Sequence, residues 1–139
     1  GNRLCGVTSA GGTHDGGTVF AVDPARGAVT ILHSFSPEEG VHPHGRLLYQ
    51  DGNLYGTTHN GGKTEGGSVF ILNVASGDFK VLHVFEPATE GANPEAGLVL
   101  NGDVLYGVTT VVGRSGGGSV FSIRTDGSRM RVLHDFHGE

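Results

Sequence analysis

Apolar residues along this chain arrive in short runs, each cut off within a few positions by glycine, asparagine, aspartate or proline. Val69-Phe70-Ile71-Leu72 and Val81-Leu82-His83-Val84-Phe85 are two such runs, apolar at neighbouring positions and not only at alternate ones. That pattern predicts strands buried on both faces; a strand with one wet face alternates more cleanly. Valine is the commonest apolar residue, as a pleated sheet favours. No stretch of about 11 residues or more carries the apolar spacing of a helix.

The runs repeat. Leu4-Cys5-Gly6-Val7-Thr8 returns as Leu54-Tyr55-Gly56-Thr57-Thr58 and as Leu105-Tyr106-Gly107-Val108-Thr109. Gly16-Gly17-Thr18-Val19-Phe20 returns at Gly66 and Gly117, and Leu32-His33-Ser34-Phe35 at Leu82 and Leu133. The period is 50 residues from Leu4 to Leu54 and 51 from Leu54 to Leu105; the extra residue falls in 86–91, one longer than 36–40.

Each full period holds four strand-like runs; in the second unit they are 45–49, 53–58, 68–73 and 79–85. Asp51-Gly52 is a hairpin signal, because a tight turn of that type needs positive φ at both residues. Four antiparallel strands at a period near 50 predict an all-β fold, a β-propeller arc of about three four-stranded antiparallel blades. The predicted blades are 1–40, 41–91 and 92–139, within one repeat domain spanning 1–139. The first blade begins at its second strand, at Asn2, and lacks the inner one. The chain ends on Phe136-His137-Gly138-Glu139 with no replacement strand. An arc of this kind exposes two blade faces. We therefore expect further repeats of the same protein, or identical chains, to complete it, and an excised piece of a longer repeat protein is the favoured origin.

The combination of Leu-Tyr-Gly-Thr-Thr, paired glycines, Gly-Gly-Ser-Val-Phe and Leu-His-x-Phe resembles the GloVer tandem repeat of secreted bacterial proteins, many of them described as choice-of-anchor proteins. The likeness covers essentially the whole chain. Strand order and the paired glycines also resemble kelch blades, more weakly. The GloVer resemblance implies an extracellular or cell-surface setting and brings no reaction, ligand or catalytic residue with it. The chain departs from the pattern at Cys5, where the other units carry Tyr55 and Tyr106, and at Val112-Gly113, where they carry Gly-Gly.

Composition narrows the function classes. Glycine supplies 26 of 139 residues, and the net charge is -5. The acidic balance opposes nucleic-acid binding, which needs clustered Lys and Arg. No apolar run reaches the roughly 20 residues of a membrane helix. The single cysteine rules out an internal disulfide framework.

His33, His83 and His134 recur once per blade. A shared metal is geometrically excluded, since packed sheets lie about 10 Å apart and zinc ligands sit about 2 Å from the ion. Strand alternation puts each imidazole beside Phe35, Phe85 or Phe136. We expect these histidines to be buried and bonded to a backbone carbonyl or hydroxyl, with Thr8, Thr58 and Thr109 as hydroxyl candidates. His42-Pro43-His44 reads as a solvated loop, because Asn93-Pro94-Glu95 holds the same place in the next unit. Cys5 reads as a small buried residue.

The acidic residues fall mostly in turns, with no repeating pair, and the paired carboxylates of glycan hydrolysis are not evident. The glycine-rich loops lack the phosphate-loop Lys-Ser/Thr and a following helix. Their variable tips are where a ligand would be sought, since rigid frames carry function on loops. The candidate ligand-binding residues are His14, Asp15, His59, Lys63, Glu65 and Arg114. No catalytic residue, metal or cofactor is assigned. The reading is a non-catalytic extracellular repeat module serving as a structural or binding scaffold for a protein or glycan. A carbohydrate-binding, lectin-like propeller and a fragment of a propeller glycan hydrolase or lyase are the alternatives.

Overall fold

The computed structural model describes residues 3–137. The predicted strand start at Asn2 and the predicted terminus at Gly138-Glu139 lie outside them. Blade 1 is a three-stranded antiparallel sheet of β1 (Leu4–Thr8), β2 (Thr18–Asp23) and β3 (Ala28–Ser34). Blade 2 has four strands in sequence order: β4 (Val41–Gln50), β5 (Asn53–Asn60), β6 (Ser68–Asn73) and β7 (Phe79–Val84). Its link to blade 3 holds a one-turn helix, α1 (Pro87–Glu90). Blade 3 follows as β8 (Val99–Asn101), β9 (Val104–Thr109), β10 (Gly116–Arg124) and β11 (Arg131–His137). Among the described residues no helix is long and apolar enough to cross a membrane.

The blades stack through two apolar clusters. Val19 and Phe35 of blade 1 meet Leu54, Phe70 and Leu72 of blade 2. Tyr55, Val69 and Phe85 of blade 2 meet Leu98, Leu105, Phe121 and Ile123 of blade 3. Each blade thus has a leading face, turned toward the blade before it, and a trailing face, turned toward the blade after it. Both faces of blade 2 are dry, which accounts for its two-sided apolar runs.

One device recurs in all three blades. The register of β2 against β3, β6 against β7 and β10 against β11 slips between Val19 and Phe20, Val69 and Phe70, and Val120 and Phe121. Val19 pairs with His33, and Phe20 with Ile31, so Leu32 is the extra residue of a β-bulge. Residues two apart on a regular strand face the same way. The bulge breaks that rule and lets Ile31 join Phe20 on the leading face while His33 and Phe35 occupy the trailing one.

The leading-face phenylalanines lie across a glycine of the neighbouring strand. A methyl group at Gly6, Gly56 or Gly107 would come within 2.8, 2.6 and 2.6 Å of Phe20, Phe70 and Phe121. That close approach is why Leu-Tyr-Gly keeps its glycine.

Candidate functional site

The recurring polar residues meet at the two links between blades. His33 Nε2 donates to Glu39 Oε2 (2.9 Å), and His83 Nε2 to Glu90 Oε2 (2.7 Å). The same carboxylate oxygen accepts the Ser36 N–H (3.0 Å) in the first link and the Glu86 N–H (2.8 Å) in the second. Each glutamate therefore ties the end of one blade to the turn that leaves it. These imidazoles are half-buried, and their partner is a carboxylate. The expectation of a fully buried histidine on a carbonyl or hydroxyl is corrected here. Glu39 and Glu90 are the residues that reading missed. The available signal was the Glu-Gly pair that closes both links, Glu39-Gly40 and Glu90-Gly91, hidden by the one-residue difference in their lengths.

The threonines bond elsewhere too. Ser68 Oγ donates to the Glu39 carbonyl across the blade boundary (2.7 Å). With that proton used, Thr58 Oγ1 donates to Ser68 Oγ (2.8 Å) and accepts the Ser68 N–H (2.9 Å). Thr109 and Ser119 repeat the arrangement (3.0 Å), with Ser119 Oγ on the Glu90 carbonyl. The next residue, Gly40 or Gly91, has a φ of 106° or 88°, and a side chain there would run into the threonine hydroxyl. His–Glu and Glu–Ser–Thr bonds together form a polar latch from blade to blade.

The aromatic contacts follow the same path. His33 meets Phe35 edge-on at 5.2 Å, and His83 meets Phe85 likewise at 5.4 Å, as their alternation predicts. Phe35 then contacts Phe70 of the next blade at 5.1 Å, and Phe85 contacts Phe121 at 4.9 Å.

The six candidate residues do not converge, and His59, expected on a loop, lies near the end of strand β5 because its pairing with β4 runs on to Asn60. His14 and Asp15 sit on the β1–β2 loop, Lys63 and Glu65 on the β5–β6 loop, and Arg114 on the β9–β10 loop, one loop per blade. Asp15 shapes its own turn, accepting the Gly11 N–H at 2.6 Å. Asp15 and Glu65 occupy the same left-handed position, with φ of 55° and 61°. Among the described residues His59 is the candidate joined to polar side chains of another blade. Its Nε2 reaches Glu95 Oε1 at 3.0 Å and Asn93 at 3.4 Å in the next blade, and its ring lies edge-on to His44 at 5.3 Å. His42 turns instead to Asn60 (2.9 Å), so His42 and His44 have separate partners. Among the described residues no three His, Cys, Asp or Glu side chains are grouped as a metal would need.

Two clefts border the blade links. One of about 380 Å³ is lined by Thr89, Glu90, Arg114, Val132 and Asp135. The other, of about 580 Å³, opens between blades 1 and 2 and is lined by residues including Arg3, Cys5, Leu47, Tyr49 and Leu54. Cys5 is half-buried there, more open than expected. At the equivalent place between blades 2 and 3, Tyr55 is buried in a cluster against which Leu48 and Leu100 pack. Burial pushes the Tyr55 phenol above its usual pKa, outweighing a hydrogen bond from Asn53.

The sequence model of the Gloeobacter/Verrucomicrobia repeat matches residues 1–139. No curated protein matches the chain. Among solved structures, a chain of a nidogen/laminin complex is similar over 96% of this chain and 44% of its own, with a TM-score of 0.60 and 14% identity. A protein described as TolB from Agrobacterium tumefaciens is similar over 96% and 43%, with a TM-score of 0.61 and 13% identity. A puromycin-hydrolysing peptidase from Mycobacterium tuberculosis is similar over 88% and 18%, at 0.58 and 16%. The chain spans less than half the length of each. At these identities the likeness is one of fold, and it agrees with a β-propeller arc.

Proposed function

Because the chain belongs to the Gloeobacter/Verrucomicrobia repeat family, we propose that this propeller arc is a non-catalytic extracellular module, a structural or binding scaffold built to stand among other blades. One observation carries the reading. At both links between blades, polar residues that recur at the repeat period hold blade to blade: His33 and His83 on Glu39 and Glu90, and the Thr–Ser pairs of blades 2 and 3 on the glutamate carbonyls. Their recurrence is thereby accounted for by packing of blade on blade, without a reaction. The residues left to meet a partner are the variable loop tips, His14, Lys63, Glu65 and Arg114, together with the His59–Glu95 pair, and they differ from blade to blade.

Two measurements test this. On intact cells producing the parent protein, added protease should digest this segment while a cytoplasmic control survives; protection would contradict the surface setting. The purified chain, assayed on polysaccharides for reducing ends and for unsaturated lyase products, should release neither. Turnover abolished by replacing loop residues would overturn the scaffold reading. A melting temperature raised by one glycan of a panel, as binding to the folded state requires, would move the assignment to a lectin-like propeller.

A further inference from the structure

The boundary of blades 2 and 3 carries a second polar group, made of residues that the repeat does not share. His44 stands where blade 3 carries Glu95, and His59 where the other blades carry Ser9 and Thr110. Thr57 pairs with Val69, whereas Val7 and Val108 hold the matching places opposite Val19 and Val120. The fold gathers these departures at one place. Thr57 and His59 lie two residues apart on β5, on the face that Tyr55 turns toward blade 3. His44 on β4 is the cross-strand partner of Thr57, and Asn93 and Glu95 reach His59 from blade 3. The group lies between two described blades, so it does not depend on how the arc is continued.

Its bonding capacity is only partly used. His59 Nε2 donates to Glu95 Oε1 (3.0 Å) and then has no lone pair for the Asn93 amide 3.4 Å away, whose N–H groups are left to give. Among the described residues, Glu95 Oε2 and the ring nitrogens of His44 have no hydrogen-bond partner, and both side chains are exposed. Thr57 is 2% exposed, and its hydroxyl also has no partner among the described residues. A buried hydroxyl without a bond is costly, and the other blades fill that place with valine. The frame is fixed in advance. Asn93, at a φ of 59°, donates its N–H to the Gly66 carbonyl (3.0 Å), and its own carbonyl accepts from Thr110 Oγ1 (2.8 Å). Groups ordered before a ligand arrives lose less freedom on binding it.

We infer that this group binds a neutral saccharide through adjacent hydroxyls. The inference rests on the reading of the chain as a non-catalytic binding module and names the ligand class of its His59–Glu95 pair. A sugar hydroxyl both donates and accepts. Glu95 Oε2 accepts from one hydroxyl, the Asn93 amide donates to its neighbour, and the His44 ring, 5.3 Å from that of His59, offers a further polar contact. The Glu95 carboxylate opposes an anion. An ammonium group satisfies Glu95 but brings no acceptor for the Asn93 amide. A metal ion lacks three grouped ligands among the described residues.

The test is isothermal titration calorimetry of the 139-residue chain with cellohexaose, xylohexaose, laminarihexaose, mannohexaose and chitohexaose, and with inorganic phosphate, spermidine and zinc chloride as contrasting probes. At least one sugar is expected to bind. Glu95→Gln and Asn93→Asp are each expected to weaken it at least about tenfold, the loss of one hydrogen bond to a fixed partner. Both variants keep the size of the side chain, and Asp tolerates the left-handed backbone; circular dichroism confirms their folding. A chain that binds none of the sugars overturns the proposal. So does a sugar bound equally by both variants, or a contrasting probe whose binding depends on Glu95 and Asn93 while no sugar binds. Failure to bind a sugar leaves the scaffold reading standing. Release of reducing ends from a bound sugar would end that reading with the binding site intact, so the two failures are distinguishable.

Discussion

The imidazole of His33 lies flat on the ring of Phe79, centroids 3.7 Å apart and planes 4° apart, across the boundary between blades 1 and 2. The same imidazole donates to Glu39, so one side chain joins the apolar and polar halves of the link. Replacing Phe79 by Ala is expected to cost about 2–4 kcal/mol from lost burial and the cavity left behind. A double-mutant cycle with His33→Ala should return a coupling of about 0.5–1.5 kcal/mol, read from urea unfolding. Zero coupling would mean that the stack is incidental.

Glu90 holds His83 and the Glu86 amide with one carboxylate oxygen. Glu90→Ala should destabilise by about 1–3 kcal/mol, since it leaves two donors without their acceptor. Glu90→Gln, which keeps an acceptor oxygen, should recover a clear part of that loss. Equal losses in the two variants would show that packing of the side chain matters and its bonds do not.

Gly56 and Gly6 hold the same place in consecutive blades and predict unequal costs. At Gly56 a methyl group would meet Phe70 at 2.6 Å and Leu47 at 2.9 Å, both in a packed interface. Gly56→Ala should cost about 1–3 kcal/mol, as overpacking does. Phe20, which faces Gly6, borders an open face and can yield. Gly6→Ala should therefore cost distinctly less by thermal unfolding, and the reverse order would contradict the assignment of faces.

Cys5 stands where blades 2 and 3 bury Tyr55, beside a cleft of about 580 Å³. Cys5→Tyr should raise stability by about 0.5–2 kcal/mol, the usual gain from filling a cavity. In the unaltered chain the thiol should react with a thiol reagent without prior unfolding, because the cleft is open to solvent. A thiol that reacts only in denaturant would disprove that access.

Tyr55 predicts the alkaline limit of the fold. Its pKa is raised in the folded state by burial, above about 10 in the unfolded chain. The contribution to stability is fully present below the unfolded value. It is lost as pH rises from there through the folded value, because the unfolded chain releases the proton first. Stability should decline above about pH 10, and Tyr55→Phe should flatten that decline in urea titrations at successive pH values.

How much of this was legible in the chain depends on how far apart the interacting residues lie. Strand runs and the shared face of His33 and Phe35 were readable, because each follows from alternation over a few residues and from a period that is printed three times. The missing tyrosine at Cys5 was visible as a departure; the cleft beside it was not. The role of Thr58 was misassigned to histidine because its hydroxyl partner, Ser68, is fixed by cross-strand register and by a carbonyl arriving from the preceding blade.

The sequence by itself determined the repeat, the four-stranded unit and the order of the blades, all set by local burial pattern and turn chemistry. Only the tertiary structure decided which residues latch one blade to the next. The links 36–40 and 86–91 differ in length and conformation, the second containing a helical turn, yet both deliver a glutamate to the same histidine. Pairing of that kind depends on the path of the chain through space, which spacing along the chain does not encode.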